Sequence, residues 1–234
     1  MPMGFFFHPA DLLLIPAILF TLWAQFKVKH AYHKYSQIGV RSGVTGARIA
    51  QWMLDSENIR DVSIEQIPGE MTDHFDPRTN TVRLSEGVYH GRSIAALGIA
   101  AHELGHVMQH AQGYAPMKLR QFVYPVSSIG STLAFPIILG GLFLSYAGYH
   151  LPWLITAGIW LFAAAVAFTI ITLPVEFNAS RRALRALTNG RFLTDEELSG
   201  ARAVLQAAAL TYVAAAAAAV LQLIRLLIIT RGRD

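Results

Sequence analysis

The sequence predicts a mainly α-helical membrane protein with three to four transmembrane helices and a small α+β domain. Of the 234 residues, 53% are hydrophobic and only 15% are charged, whereas a soluble domain carries about 25% charged residues. Several apolar stretches approach or exceed the length of about 20 residues that a bilayer-spanning helix needs. The chain contains no cysteine, which excludes disulfides, thiolate metal sites and a cysteine nucleophile.

The first apolar stretch, "PADLLLIPAILFTLWAQF", is interpreted as an uncleaved membrane anchor. No Lys or Arg precedes it and no small-residue cleavage site follows it, so it does not resemble a signal peptide. Five segments are expected along the chain: the N-terminal transmembrane anchor (1–26), a cytosolic region with the "HELGH" helix (27–121), a transmembrane hairpin (122–175), a cytosolic helix (176–203), and a C-terminal helix that either spans or lies at the interface (204–234).

Positive charges indicate the orientation of these segments. Basic residues follow the first and the third apolar stretch, in two clusters: Lys27, Lys29, Lys34, Arg41 and Arg48, and then Arg181, Arg182, Arg185 and Arg191. Both clusters are expected to face the cytoplasm, which puts the N-terminus outside. Arg225 lies within the last apolar stretch, and Arg231 and Arg233 would end outside if it spans, so its topology stays open.

The polar segment between the first and second apolar stretches is predicted to form a small domain of helices and strands. A helix is predicted over about 45–56, a strand over 62–67, a turn over 73–80, and a second strand over 81–89 that runs into a helix start. Ser93 is a good N-cap for a long helix over 94–111, and Gly113 and Pro116 mark its end.

The motif "HELGH" places two histidines on one face of that long helix. Four residues advance about 400° and about 6 Å along an α-helix, so His102 and His106 lie one turn apart. This spacing suits two imidazoles that bind one Zn²⁺ ion. Glu103 lies about 100° round the helix; it would not bind metal but could take a proton from a water and pass it to a leaving amine.

A third zinc ligand must come from elsewhere. The metzincin pattern is excluded because Gln109 and Gln112 stand where it requires glycine and histidine. No Asp or Glu occurs between Val107 and Val175, and Glu176 is the first acid after the hairpin, which returns the chain to the same side. Glu176 is therefore the candidate third ligand; the alternative is an interfacial charge beside a neighbouring arginine.

Other acidic residues are given structural roles. Glu196 and Glu197 fit the negatively charged first turn of a helix. Asp73, His74 and Asp76 are expected to stabilise a turn rather than to form an accessory metal site.

Three stretches, "SGVTGARIAQWML", "TDHFDPRTNTVRLSEGVYHGRSIAALGIAAHELGHVMQHAQGYAPMKLR" and "LPVEFNASRRAL", together resemble the YugP-like family of bacterial membrane zinc metallopeptidases. That family is similar in plan to the HtpX and CAAX prenyl endopeptidase group. The resemblance implies that Glu176, the first position of that group's Glu-x-x-x-Asp pattern, is the third ligand. Ser180 stands at the Asp position, so Ser180 or Asn178 is expected to orient a ligand histidine.

The resemblance also implies a gluzincin-like core in which the edge strand of a small sheet lies along the active helix. "TVRLSE" is the candidate edge, to which a substrate backbone could add as a further strand. A proline at Val82 is then expected to impair peptide cleavage without loss of zinc. The group that stabilises the oxyanion is not identified; His74, Tyr89, Tyr114 and Arg181 are the candidates.

The function expected from the sequence is a multi-pass cell-membrane zinc metalloendopeptidase with its active site on the cytoplasmic side. His102, His106 and Glu176 would bind Zn²⁺, and Glu103 would be the general base. The expected partners are peptide or protein substrates and the lipid bilayer, with no nucleic acid. The alternatives are a catalytically silent zinc-stabilised scaffold, an intramembrane site-2-type protease, and a channel or transporter.

Overall fold

The computed structural model describes residues 8–149 and 151–231 and has a mainly α-helical membrane fold with one small sheet. Its elements in chain order are a 3₁₀ helix at Pro9–Leu13, α1 (Leu14–Ser36), α2 (Gly46–Ser56), β1 (Ser63–Ile67), β2 (His74–Asp76), β3 (Thr81–Ser85), α3 (Glu86–Tyr89), α4 (Ile94–Ala111), α5 (Ala115–Tyr146), α6 (Pro152–Asn189) and α7 (Asp195–Arg231). The first seven residues of the expected anchor, and Arg233, lie outside the described residues.

Within the described part of the chain, four helical segments are long and apolar enough to cross a membrane: Pro9–Ser36, Ala115–Tyr146, Pro152–Asn189 and Asp195–Thr230. The fold class predicted from the sequence is thereby confirmed, and the last segment is a fourth candidate span. The helices are longer than predicted. In particular, α6 continues through Glu176, so the segment boundary expected there does not coincide with a helix boundary.

The chain divides into two compact units. The first comprises the described parts of Met1–Trp23, Leu119–Leu173 and Tyr212–Asp234. Its helices expose large apolar side chains such as Leu19, Phe143 and Trp160, a surface that suits lipid rather than water. Inside this unit, α5 and α6 approach closely at Gly130, because a Cβ there would lie 2.4 Å from the carbonyl oxygen of Leu161.

Arg225 of the last helix is paired within this first unit. The Nε atom of Arg225 donates to Oδ1 of Asp11, and Asp11 also accepts a hydrogen bond of 2.8 Å from the backbone N–H of His8. Pairing with a carboxylate lowers the cost of burying an arginine at membrane depth. Arg225, whose charge made a fourth membrane span doubtful in the sequence, is therefore paired with Asp11.

The second unit, Ala24–Lys118 with Pro174–Thr211, contains the sheet and the "HELGH" helix. The strand order is β1-β3-β2, with β1 parallel and β2 antiparallel to β3. The strands predicted at 62–67 and 81–89 are present, and the second runs directly into α3 as expected. The predicted turn at 73–80 is correct only in its second half, since His74–Asp76 forms β2.

The prediction that "TVRLSE" forms the edge strand is wrong. Val82 of β3 lies in register with Ile64 of β1 on one side and with Phe75 of β2 on the other, so β3 is the central strand. Pro77 and Asn80, which follow β2, are typical turn residues. The segment was therefore interpreted as a turn, and its pairing with β3 was not predicted. A proline at Val82 would disrupt the sheet itself and would not test substrate pairing.

The helix α4 matches its predicted bounds. Ser93 caps it, because its Oγ accepts a hydrogen bond of 3.2 Å from the backbone N–H of Ala96. The apolar face of α4, including Leu97 and Leu104, is completely buried in the core of the second unit. The same helix carries the candidate site on a neighbouring face, so the core fixes the position of the site's two histidines.

Candidate metal centre

The two histidines of α4 converge on one carboxylate oxygen. Nε2 of His102 lies 3.3 Å and Nε2 of His106 lies 3.5 Å from Oε2 of Glu176. The two imidazole rings are nearly perpendicular, with an interplanar angle of 86° and centroids 4.8 Å apart. Ligand atoms of these three residues all lie within 4.8 Å of one another, so the group could hold a metal ion.

Glu176 reaches the histidines from α6. It is only 2% exposed and lies two residues after Pro174, the proline within this helix. The long hairpin between α4 and Glu176 returns the chain to the same unit. The structure therefore brings together the two histidines and the one acid that the sequence selected.

A glycine lets the two helices approach. A Cβ at Gly105 would lie 2.5 Å from the carbonyl oxygen of Ala179 and 3.0 Å from its Cα. No side chain fits in that space, so at Gly105 the contact between α4 and α6 is backbone against backbone. The fourth residue of "HELGH" is thus the contact point between the helix that carries the histidines and the helix that carries Glu176.

The remaining nitrogen of each imidazole ring also has a partner. Nδ1 of His102 lies 3.1 Å from Oγ of Ser180, and Nδ1 of His106 lies 3.0 Å from Oε1 of Gln109. Such contacts leave both Nε2 atoms to face Glu176 and hold the rings in place. Of the two residues that the sequence offered for this role, Ser180 contacts a histidine directly, whereas Asn178 contacts Gln109.

This donor set fits zinc. Two imidazole nitrogens and one carboxylate oxygen are a set that catalytic zinc sites use, with the fourth position open to water or substrate. Ligand atoms about 2.0–2.1 Å from a tetrahedral ion lie about 3.4 Å from each other. The observed nitrogen-to-oxygen separations of 3.3 and 3.5 Å match that spacing.

Glu103 lies beside the ligand group but is not part of it. Burial raises the pKa of its carboxyl group to about 7. The negative charges of Glu176 and Asp73 act in the same direction, and His102 and the backbone of Phe75 act against it. A buried carboxyl group with this pKa can both accept and release a proton near neutral pH.

The other acidic residues near the sheet have structural contacts. Asp73 accepts hydrogen bonds from the backbone N–H (2.7 Å) and the hydroxyl (3.1 Å) of Ser85. Asp76 accepts from the backbone of Arg78 and pairs with Arg83 at 3.1 Å. Glu197 accepts a hydrogen bond of 2.8 Å from the backbone N–H of Thr194 at the start of α7.

The four candidates for stabilising an oxyanion lie in different surroundings. Among the candidates, Nδ1 of His74 lies 2.8 Å from the carbonyl oxygen of Thr72, and Tyr89 packs edge-on against His90. The ring of Tyr114 lies under the guanidinium of Arg182 at 5.9 Å. The fourth candidate, Arg181, is exposed.

Sequence reasoning missed Gln109. This side chain is completely buried and contacts both α4 and α6. The available signal was its position three residues after His106, on the same face of the helix. A glutamine has no charge or metal-ligand character that would have singled it out.

The whole chain resembles known proteins of one kind. Residues 10–231 match the model of a family described as "Putative neutral zinc metallopeptidase". The chain is 46% identical over 223 residues to the "Putative membrane protease YugP" of Bacillus subtilis (strain 168), and the match covers 95% of this chain and 97% of that protein. No solved structure shows significant similarity. Both matches confirm the resemblance found in the sequence.

Proposed function

Because the chain belongs to this family of neutral zinc metallopeptidases, we propose that it is a membrane-embedded, zinc-dependent endopeptidase. His102, His106 and Glu176 bind the metal. The observation that carries this proposal is the convergence of both Nε2 atoms on Oε2 of Glu176, at separations that suit two ligands of one tetrahedral ion. The hydrogen bonds to the two Nδ1 atoms support it, because they leave the Nε2 atoms for the ion.

Zinc, when bound, supplies Lewis acidity that lowers the pKa of water to about 7 and polarises a peptide carbonyl group. Glu103 moves the proton. It takes a proton from the water whose oxygen attacks the carbonyl carbon, and it delivers that proton to the amide nitrogen as the carbon–nitrogen bond breaks. The second proton of the water also ends on the amine, so the products are a carboxylate and a protonated amine. Burial beside the ligand histidines suits this role, because the carboxyl group is shielded from bulk water.

An extended peptide is the substrate form that the sheet favours. Among the described residues, β2 pairs with β3 alone. The backbone of Phe75 lies close enough to Glu103 to lower its pKa, and the Phe75 ring lies 5.7 Å from the ring of His110 on α4. The edge of β2 that does not pair with β3 thus lies beside the catalytic helix, and in this proposal a substrate backbone adds to it as a further strand.

Strand addition is tested by modifying the backbone of a peptide substrate. A good peptide substrate is synthesised with one N-methyl group at each successive backbone amide. If the peptide pairs with β2, the KM should rise at alternate positions, because only every second amide of a strand points to its partner. A KM that rises equally at all positions, or at none, contradicts strand addition.

The second unit, which contains the site, faces the cytoplasm in this proposal. The support is the basic residues that follow the first and third apolar stretches. Because the chain lacks cysteine, single-cysteine variants report topology without background. Arg60→Cys should react with a membrane-impermeant maleimide only after permeabilisation, whereas Ala147→Cys should react in intact cells. The reverse pattern refutes the orientation.

The activity is tested with purified full-length protein. We expect Glu103→Gln to retain one zinc ion and to lose peptide cleavage, and Glu176→Ala to lose both. Glu196→Gln, an exposed glutamate in the first turn of α7, is the matched control and should resemble the wild type. Full zinc and activity in Glu176→Ala would refute the ligand set. Zinc binding without cleavage of any peptide by the wild type would favour the silent scaffold.

A further inference from the structure

Gln109 uses its whole amide group in contacts that join the two helices of the metal centre. Its Nε2 lies 2.8 Å from the carbonyl oxygen of Val175 and 3.0 Å from Oδ1 of Asn178, both on α6. Its Oε1 lies 3.0 Å from Nδ1 of His106 on α4. The side chain is completely buried, so these three contacts are shielded from bulk water.

The orientation of the Gln109 amide follows from neighbouring groups that can only donate or can only accept a hydrogen bond. The Nε of Arg182 lies 2.7 Å from Asn178, and an arginine can only donate, so the oxygen of the Asn178 amide must face it. A backbone carbonyl such as that of Val175 can only accept. The Val175 carbonyl oxygen and Oδ1 of Asn178 both accept hydrogen bonds from the NH₂ group of Gln109. The amide oxygen of Gln109 therefore faces His106.

The tautomer of His106 follows in turn. An amide oxygen can only accept a hydrogen bond, so Nδ1 of His106 must carry the proton. The neutral ring then has its lone pair on Nε2, the atom that lies 3.5 Å from Oε2 of Glu176. His102 is held differently, because the hydroxyl of Ser180 can donate or accept and does not select a tautomer.

We propose that Gln109 is a positioning residue that fixes His106 in the tautomer able to bind the metal and holds the turn of α6 that carries Glu176. Asn178 and Arg182 orient the Gln109 amide. The proposal rests on the proposed function, since it assumes that His106 and Glu176 bind zinc. It assigns the two histidines different supports: His106 depends on this buried hydrogen-bond chain, and His102 on a single hydroxyl.

The tautomer is measured directly in the zinc-free protein. Full-length protein with ¹⁵N-labelled histidine is purified in detergent, and the His106 nitrogen signals are assigned by their loss in His106→Gln. Glu176→Ala serves as the background, because the Glu176 carboxylate lies 3.5 Å from Nε2 and would itself accept a hydrogen bond there. In this background, with Gln109 present, we expect the neutral ring to carry its proton on Nδ1. In the same background, Gln109→Met, which keeps the length of the side chain and removes all three contacts, should give a mixture of tautomers. An unchanged Nδ1–H tautomer in Gln109→Met would overturn the proposal.

Zinc affinity is measured by competition with a chelator. Loss of a residue that orients a ligand typically weakens metal binding by about 10- to 100-fold, and we expect this for Gln109→Met and for Asn178→Leu. Asn178→Asp keeps an acceptor for both Gln109 and Arg182, so it should bind zinc like the wild type. Gln51→Met, which replaces an exposed glutamine whose side chain bonds to Asp55, is the control and should have no effect.

The outcomes separate this proposal from the proposed function. If the wild type binds no zinc, the proposed function fails, and the tautomer experiment still tests Gln109. If the wild type binds zinc and Gln109→Met binds it equally tightly, this proposal alone fails. If Gln109→Met loses its helical circular dichroism, the two Asn178 variants decide: Leu weaker than Asp supports the proposal, and equal affinities overturn it.

Discussion

The contact at Gly105 offers a sharp test of how the metal centre is assembled. In the structure, the backbone of α4 at this glycine meets the backbone of α6 at Ala179. Glu176 lies three residues before Ala179, one helical turn away. The substitution Gly105→Ala adds one methyl group at this contact and leaves every proposed ligand and Glu103 unchanged.

The expected displacement can be worked from the distances. The added Cβ would lie 2.5 Å from the Ala179 oxygen, whereas ordinary contact begins at 3.4 Å, so the helices must separate by about 0.9 Å. Neither contacting atom is the flexible end of a side chain. Metal–ligand distances tolerate only about 0.2 Å, and a misplacement of about 1 Å can reduce catalysis about 100-fold. The packing cost adds about 1–3 kcal/mol of destabilisation.

We therefore expect Gly105→Ala to bind zinc much more weakly and to lose about 100-fold in peptide cleavage. Zinc content after dialysis against a weak chelator, kcat/KM on a peptide and thermal unfolding in detergent measure the three effects. Gly98→Ala is the matched control on the same helix, because its Cβ would meet Ala201 at an ordinary 3.6 Å. Wild-type zinc affinity and activity in Gly105→Ala would refute the reasoning.

Three further predictions concern separate parts of the chain. Ser180→Ala removes the contact of 3.1 Å to Nδ1 of His102 and should weaken zinc binding by about 10- to 100-fold; an unchanged affinity in chelator competition would exclude a role for the hydroxyl. The hydrogen bond from the Arg78 backbone, and then Arg83, hold the pKa of Asp76 below its ordinary value, so its stabilisation is present above a pH of about 4 and is lost as the pH falls through the lowered pKa. The unfolding temperatures of wild type and Asp76→Asn should therefore differ at pH 7 and approach each other towards pH 2, and a difference that grows on acidification would contradict this. Arg225→Met should lower the unfolding temperature in detergent by leaving Asp11 without its arginine, and adding Asp11→Asn should restore part of the loss; a double variant no better than the single one would mean that the pair contributes little.

Much of the fold could be predicted because the relevant signals are local. The apolar stretches, the Ser93 cap and the "HELGH" spacing are all properties of short segments, and α2, β1 and α4 were found within one or two residues of their predicted bounds. The strand predicted over 81–89 begins where expected but ends at Ser85, where α3 starts. The bounds of α5 and α6 were less accurate, since these helices continue past the apolar stretch into polar sequence. A helix can continue beyond the membrane surface, so the end of an apolar stretch does not mark the end of the helix.

The sheet order could not be predicted by the same reasoning. Whether a strand lies at an edge or in the centre depends on which other strands pair with it, and β2 has only three residues that look like part of a turn. The central position of β3 results from pairing with β1 on one side and β2 on the other. That pairing is a property of distant segments and not of "TVRLSE" itself.

The sequence by itself determined the candidate ligands: two histidines one helical turn apart with a glutamate between them, and Glu176 as the first acid after a long stretch without any. Only the tertiary structure decided how these groups meet. Gly105 lets α6 approach α4, Gln109 and Ser180 contact the Nδ1 atoms of the two rings, and the Glu176 oxygen lies within 3.5 Å of both Nε2 atoms. The physical reason is that helical periodicity fixes spacing within one helix, whereas distances between two helices depend on the small and buried residues at their contact.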